Sequence, residues 1–152
     1  MKVQDVMTVE VGFISPTDNL AQAAVIMWQR DCGVVPIVDG EGKIAGIVTD
    51  RDVCIAVGSR DLKASEIKAE EFCRETIVAC APEEKIKDAL KKMSVNQVKR
   101  LPVVGQNGEL VGIVSVGDIL AAIGDDSKLR KKLFSALIEI NKPRPITLLE
   151  VE

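Results

Sequence analysis

Histidine and tyrosine are absent from this chain, and its 152 residues hold one tryptophan and three phenylalanines. Without histidine the usual mixed Cys/His zinc sites cannot form. None of the four cysteines, Cys32, Cys54, Cys73 and Cys80, stands in a C-x-x-C pair, so a structural metal is not expected. The commonest general base is missing too, and no nucleophile sits beside a replacement, so the chain reads as a non-enzyme. Asp50, Asp52, Asp125 and Asp126 resemble magnesium ligands by type, but acids of a first helical turn explain them more simply. A basic excess is also lacking. The net charge is −3, which argues against a nucleic-acid binder and leaves room for a small anion held by local groups. No apolar run reaches the ~18 residues of a membrane span, and MKVQDVMTVE has no signal-peptide apolar stretch. The expectation is a protein of the cytoplasm with reduced thiols and no membrane partner.

What the chain does hold is a globular share of apolar residues, 47% against 28% charged. With so few aromatics, the core falls to Val, Ile, Leu, Ala and Met. It also holds a repeat. GIVTDRDV (46 to 53) returns as GIVSVGDI (112 to 119), 66 positions on. Pro16 and Pro82, Ala23 and Ala89, Met27 and Met93, Pro36 and Pro102, Gly42 and Gly108, and Gly58 and Gly124 keep the same offset. A tandem duplication of a unit of about 55 to 60 residues explains this. At the front the best match pairs KVQDV (2 to 6) with KASEI (63 to 67), 61 apart. On that reading the second copy carries about five extra residues around Ala69 to Arg74, and Lys68 and Ala69 stand in place of Met7 and Thr8.

Each unit reads β-α-β-β-α. A short strand (VGFIS, ETIVAC) runs to a proline. Asp18, or Glu83 and Glu84, then sits near a helix start. The helix from Asn19 to Arg30 presents Leu20, Ala23, Ala24 and Met27 on one face, and its repeat presents Ile86, Ala89, Leu90 and Met93. VVPIVD and RLPVVG are β-branched strands. DGEG and GQNG are hairpin turns, and KIAGIVT and ELVGIVS return. A short helix follows, with Gly58 or Gly124 as its C-terminal cap.

VQDVMT, S-P-x-x-x-L-x-x-A, VVPIVD, LPVVG, GIVTDRD and GIVSVGD together resemble the CBS domain, named after cystathionine β-synthase, in its tandem, stand-alone prokaryotic form. The resemblance covers about residues 1 to 126. It implies an α+β fold in which two units pack as a pseudo-twofold disc (a Bateman module), with units at 7–64 and 72–127 and a tail at 128–152. It implies two clefts between the units for an adenosyl ligand: AMP, ADP, ATP or S-adenosylmethionine. The ligand is regulatory and no cofactor is required. The implied role is to sense that ligand and signal to an unknown protein partner. The alternative is a ligand-free dimerisation or interaction scaffold.

The motif suits a nucleoside on physical grounds. The glycine and the apolar strand let backbone approach a flat ligand. Val34, Val35 and Ile47 in the first unit, and Leu101 and Ile113 in the second, are the residues for an adenine slot. Asp52 and Asp118, three residues past the hydroxyl, can accept from ribose hydroxyls. Thr49 and Ser115 open the next helix, where a phosphate is favoured. They are equally suited to cap that helix, and both roles are compatible. Arg51, Lys99 and Arg100 are candidates for phosphate charge or plain surface cations.

Beyond the repeat, Ser127 is placed to cap a helix with Leu129, Leu133, Leu137 and Ile140 at helical spacing, closed by Pro143 and Pro145. Three destinations suit its apolar face: its own CBS pair, a second subunit or a membrane surface. ITLLEVE after it reads as an edge strand or as disordered. Trp28 lies beside the apolar stripe of the first helix. It suits either an interface anchor, hence a homodimer, or burial against the neighbouring helix.

Overall fold

The structure is a computed structural model and describes residues 1–143; the stretch ITLLEVE and Pro145 lie outside them. The first repeat holds α1 (Leu20–Gln29), β1 (Val34–Val38), β2 (Ile44–Thr49) and α2 (Asp50–Arg60). The second holds α3 (Ile86–Asn96), β3 (Arg100–Val104), β4 (Leu110–Ser115) and α4 (Val116–Ala122), and α5 (Ser127–Ile140) follows. Strands β1 and β2 pair antiparallel, as do β3 and β4, in matching register: Pro36 faces Ile47 and Pro102 faces Ile113. Gly42 and Gly108 close the two hairpins at φ +80 and +84, a region that costs a side chain and leaves glycine free. The hairpins meet tip to tip through a Lys43–Glu109 bridge.

The strands expected at VGFIS and ETIVAC shrink to single parallel bridges, Ile14 to Ile37 and Cys80 to Val103. The Ile14 N–H donates to Pro36 O and the Val38 N–H to Ile14 O. The next rung of a parallel ladder needs the N–H of residue 36, and a proline has none. Pro102 stops the second copy in the same way.

The expected helix faces are present. Leu20, Ala23 and Met27 are buried on α1, with Ala24 half-buried; Ile86, Ala89, Leu90 and Met93 are buried on α3. The caps differ in part from expectation. Asp18 sits near the start of α1 as expected, and Asn19 is the cap, accepting from Ala21 and Gln22 N–H while Gln22 answers to the Asn19 N–H. Asp18 is drawn back to the Ser15 N–H at 2.7 Å. In the second copy Lys85 takes the cap position without a side-chain bond, and Glu84 turns to Lys92 at 2.7 Å. Helix α2 runs through Gly58 and ends on Asp61 at φ +52. Gly124 does take the left-handed conformation, at φ +51, just beyond α4. Asp126, not Ser127, caps α5 through the Lys128 and Leu129 N–H groups.

The front of the repeat is corrected as well. The Val3 N–H donates to Glu84 O, the Gln4 N–H to Pro82 O and the Ile86 N–H to Met1 O. Their partners at 66 positions' remove are Ala69 to Asp18, Glu70 to Pro16 and Leu20 to Ile67. The offset of 66 therefore runs from the first residue, with no five-residue insertion. VQDVMT is matched by AEEFCR, not by KASEI. The letters hid this because the bonds are backbone bonds, which constrain conformation and leave side-chain identity free.

These lead segments are exchanged between units. Val3 is buried with Ile86, Leu90 and Met93 of the second unit. Ile67 and Ala69 are buried with Leu20 and Ile37 of the first. Helix α5 joins the second core through Leu133, Ala136 and Ile140 and packs on α3, so of its three destinations the structure takes its own pair.

Candidate functional site

A cavity of about 470 Å³ opens where the first lead segment, the end of α1 and the β4–α4 motif converge. Ser115 ends β4 and caps α4: its Oγ accepts the Asp118 N–H at 3.1 Å. The Asp118 carboxylate returns through Oδ2, accepting from the Ser115 N–H and from its Oγ, both at 2.7 Å. This reciprocal box satisfies two donors of the helix start. It leaves Asp118 Oδ1 without a bond among the described residues, and Asp118 lines the cavity. Ile113 supplies an apolar patch below it, and Val34 and Arg100 flank it. These last two are repeat equivalents, and both line this one cavity.

The remaining wall comes from residues the sequence did not single out as site residues. Thr8 bridges to Ile113 through backbone bonds of 2.9 and 3.0 Å. Glu10, Val11 and Gly12 follow it along the cavity. Arg30 reaches back to donate to Glu10 O at 2.7 Å. It crosses Gly12 so closely that a Cβ there would come within 2.7 Å of its Nε. Asp31, at φ +48, and Cys32 complete the rim. Sequence signals for these were weak. Thr8 belongs to VQDVMT, but its neighbours reach the cleft only through the exchange of leads. Glu10, Asp31 and Asp118 thus line the cavity together with Arg30 and Arg100.

Of the expected site residues, Val34, Arg100, Ile113, Ser115 and Asp118 are brought together here. Thr49, Asp52 and Ile47 form the equivalent corner of the first unit and do not line this cavity. There the same box recurs, with Thr49 Oγ1 and N–H donating to Asp52 Oδ2 at 2.6 and 2.8 Å. Val35 and Leu101 are fully buried in the two cores, because successive strand residues face opposite sides. Arg51 is exposed on α2, and Lys99 is exposed with its carbonyl accepting the Val116 N–H.

The motif glycines have a different task from the one expected. A Cβ on Gly46 would lie 2.6 Å from Phe72 O, and one on Gly112 would lie 2.9 Å from Thr8 O. Each glycine admits the backbone of a lead segment, and the flat surface it offers is taken by the chain itself. The two helix starts differ too. In α2 the Asp50 carboxylate accepts the Arg51 N–H at 2.8 Å and lies over Gly33. In α4 the equivalent residue is Val116, which is buried.

The cysteines are all free. Burial pushes the Cys80 thiol up to about 12, with Glu84 adding to the effect. Burial also raises Cys73, helped by Glu70. No cluster of metal-ligating side chains occurs among the described residues, and no helix among them is long and apolar enough to cross a membrane.

Comparison with known proteins agrees with this geometry. The CBS domain family matches residues 3–59 and 69–125, again 66 apart at both ends. The CBS domain-containing protein YhcV of Bacillus subtilis is 34% identical over 117 residues, covering 77% of this chain and 81% of that protein. The crystal structure of Hypoxic Response Protein I with two coordinated zinc ions has a TM-score of 0.73 at 30% identity, covering 80% of this chain and 98% of that one. The CBS domain pair of MJ0100, in complex with 5-methylthioadenosine and S-adenosyl-L-methionine, has a TM-score of 0.73 at 26% identity, covering 82% and 96%. With both repeats matched end to end and the disc of two exchanged units in place, the chain belongs to the CBS domain family as a tandem pair.

Proposed function

We propose that this CBS pair is a regulatory module. It binds an adenosyl ligand (AMP, ADP, ATP or S-adenosylmethionine) in the cleft at Ser115 and Asp118 and passes the bound state to a partner protein, with no catalysis of its own. The observation that carries this is the cavity itself: walls from both repeats, an apolar patch at Ile113 and Val34, and a carboxylate oxygen of Asp118 left open. An open carboxylate oxygen suits ribose hydroxyls. The complexes of MJ0100, a neighbour at 26% identity, support the adenosyl class. A ligand touching both units biases their relation only by its difference in affinity between two states.

Thermal shift with AMP, ADP, ATP, NAD and S-adenosylmethionine tests the reading. A ligand at 100 times its Kd adds ~2.7 kcal/mol, a rise of several degrees for a domain of this size. Absence of any shift at millimolar levels favours the scaffold alternative, which has its own support in the capping boxes that already engage both motif aspartates.

The module is proposed to work as a homodimer in the cytoplasm, where four free thiols stay reduced. Helix α5 covers on α3 the face that α1 leaves bare. That bare face holds Ala21, Ala24, Val25 and Trp28, with Trp28 88% and Val25 52% exposed. An antiparallel twofold centred between Ala24 and Val25 sets Trp28 of each copy on Ala21 of the other, and Val25 on Ala24, large against small throughout.

A further inference from the structure

The charges around the cavity discriminate within the adenosyl class. Asp118 is assigned to the ribose, which every adenosyl compound shares. The charged residues left for the 5′ arm are Glu10 and Asp31 with Arg30 and Arg100, two anions and two cations. Arg30 is moreover held by Glu10 O at 2.7 Å. No lysine lines the cavity, and the other basic candidates, Arg51 and Lys99, stand outside it. The first-turn amides of α4 are largely spent. The Val116 N–H donates to Lys99 O and the Asp118 N–H to Ser115 Oγ, and α4 has only seven residues. A triphosphate arm would bring several negative charges to a wall with no surplus of positive charge, and beside Glu10 and Asp31 each is disfavoured. An arm carrying one carboxylate, one ammonium and one sulfonium centre suits the same lining: its two cationic centres answer Glu10 and Asp31, and its carboxylate answers Arg100, with Arg30 already bonded to Glu10 O.

Resting on the adenosyl reading above, we propose that this cleft selects an adenosyl compound with a cationic, amino-acid-bearing 5′ arm, of the S-adenosylmethionine kind, over nucleoside di- and triphosphates. Arg100 receives the carboxylate of the arm; Asp31 and Glu10 face its ammonium and sulfonium. The neutral thioether 5′-methylthioadenosine shares the adenosyl part and lacks these charges, so its affinity falls between the two.

Calorimetric titration of the full chain with S-adenosylmethionine, 5′-methylthioadenosine, AMP and ATP tests this. Asp118→Ala is run alongside to report binding at this cleft. The expected result is S-adenosylmethionine binding at least tenfold tighter than ATP at low salt. The gap should narrow as salt screens it, and Asp118→Ala should weaken every adenosyl compound at this cleft by at least tenfold. The double variant Glu10→Gln/Asp31→Asn should shrink the gap by weakening S-adenosylmethionine and strengthening ATP. Both side chains are exposed, and asparagine tolerates the left-handed backbone at position 31, so the fold is kept. ATP binding more tightly than S-adenosylmethionine at this cleft, or a ratio unchanged in the double variant, overturns the charge selection and leaves the adenosyl reading standing. Failure of all four compounds to bind overturns both.

Discussion

The two repeats share their strand register and the backbone bonds of their lead segments, and differ in the length of the helix after the motif and in what covers them. The second unit has α5 laid on α3, and its core takes in Leu133, Ala136 and Ile140. The first unit offers the equivalent face of α1 to solvent, with Trp28 on it. Inside, the second unit's motif opens on a cavity, with Val116 and Gly117 after the capping serine. The first unit's motif sets Asp50 over its own helix start. Duplication thus supplied two equivalent frames, and a handful of side chains separated their uses. One frame is completed by the chain's own last helix and its motif opens on the cleft; the other leaves an apolar face with Val25 and Trp28 exposed.

The largest expected effect comes from removing the cover of the second unit. Leu133→Ala leaves a hole in a core where the residue is buried, and a loss of about 2–5 kcal/mol in urea unfolding is expected. Trp28→Ala, on the equivalent bare face, should leave chain stability nearly unchanged and convert the particle seen by light scattering from twice 16.4 kDa to 16.4 kDa. Equal losses for both variants, with no change of mass, would break the comparison.

The motif aspartates come next. Asp118→Ala removes a charged acceptor from the cleft and should weaken the best adenosyl ligand by about 1.5–3 kcal/mol. Asp52→Ala removes the equivalent group of the first unit and should affect only a second, separate binding event. Calorimetric stoichiometry resolves the two. If the double variant binds as tightly as the wild type, the ribose role is wrong.

Gly46→Val and Gly112→Val probe the exchanged leads. Each forces a side chain against backbone, Phe72 O or Thr8 O, and overpacking of this kind costs about 1–3 kcal/mol. Hydrogen exchange should quicken in the crossed segment, 69–74 for Gly46→Val and 3–8 for Gly112→Val. Quickening within the mutated strand alone would contradict the exchange.

The smallest effect is a pH dependence of the second unit. Cys80 holds its proton in the folded state up to about 12, while a free thiol loses it near ~8.5. The stabilisation is fully present below the free-thiol value and is lost as pH rises through the folded one. Urea midpoints at pH 8 and pH 10 should fall for the wild type and fall less for Cys80→Ala. Equal falls would remove Cys80 as the cause.

Much of the fold was legible because it is written in residues whose side chains do the work. The apolar stripe of Ile86, Ala89, Leu90 and Met93, the hairpin glycines and the T-x-x-D and S-x-x-D boxes each have a local physical reason to appear where they do. The cleft was half legible. Ser115, Asp118 and Ile113 stand in the motif, but Val35 and Leu101 belong to the opposite strand faces. Glu10 and Asp31 carry no local signal, since an acid before a glycine or after a helix looks like surface. The extent of the repeat was misread at its front, where Ala69 replaces Val3 and the equivalence lies in backbone bonds.

The sequence by itself determined that the motif is duplicated, the order of helices and hairpins, and the residues each helix and hairpin contributes to its own core, because periodicity and turn chemistry are local properties. Only the tertiary structure decided that the leads cross, that α5 lies on α3, and that one cleft gathers Thr8, Arg30, Arg100 and Asp118. Those juxtapositions come from long-range backbone hydrogen bonds and from the shapes of buried faces, which leave no spacing in the chain to read.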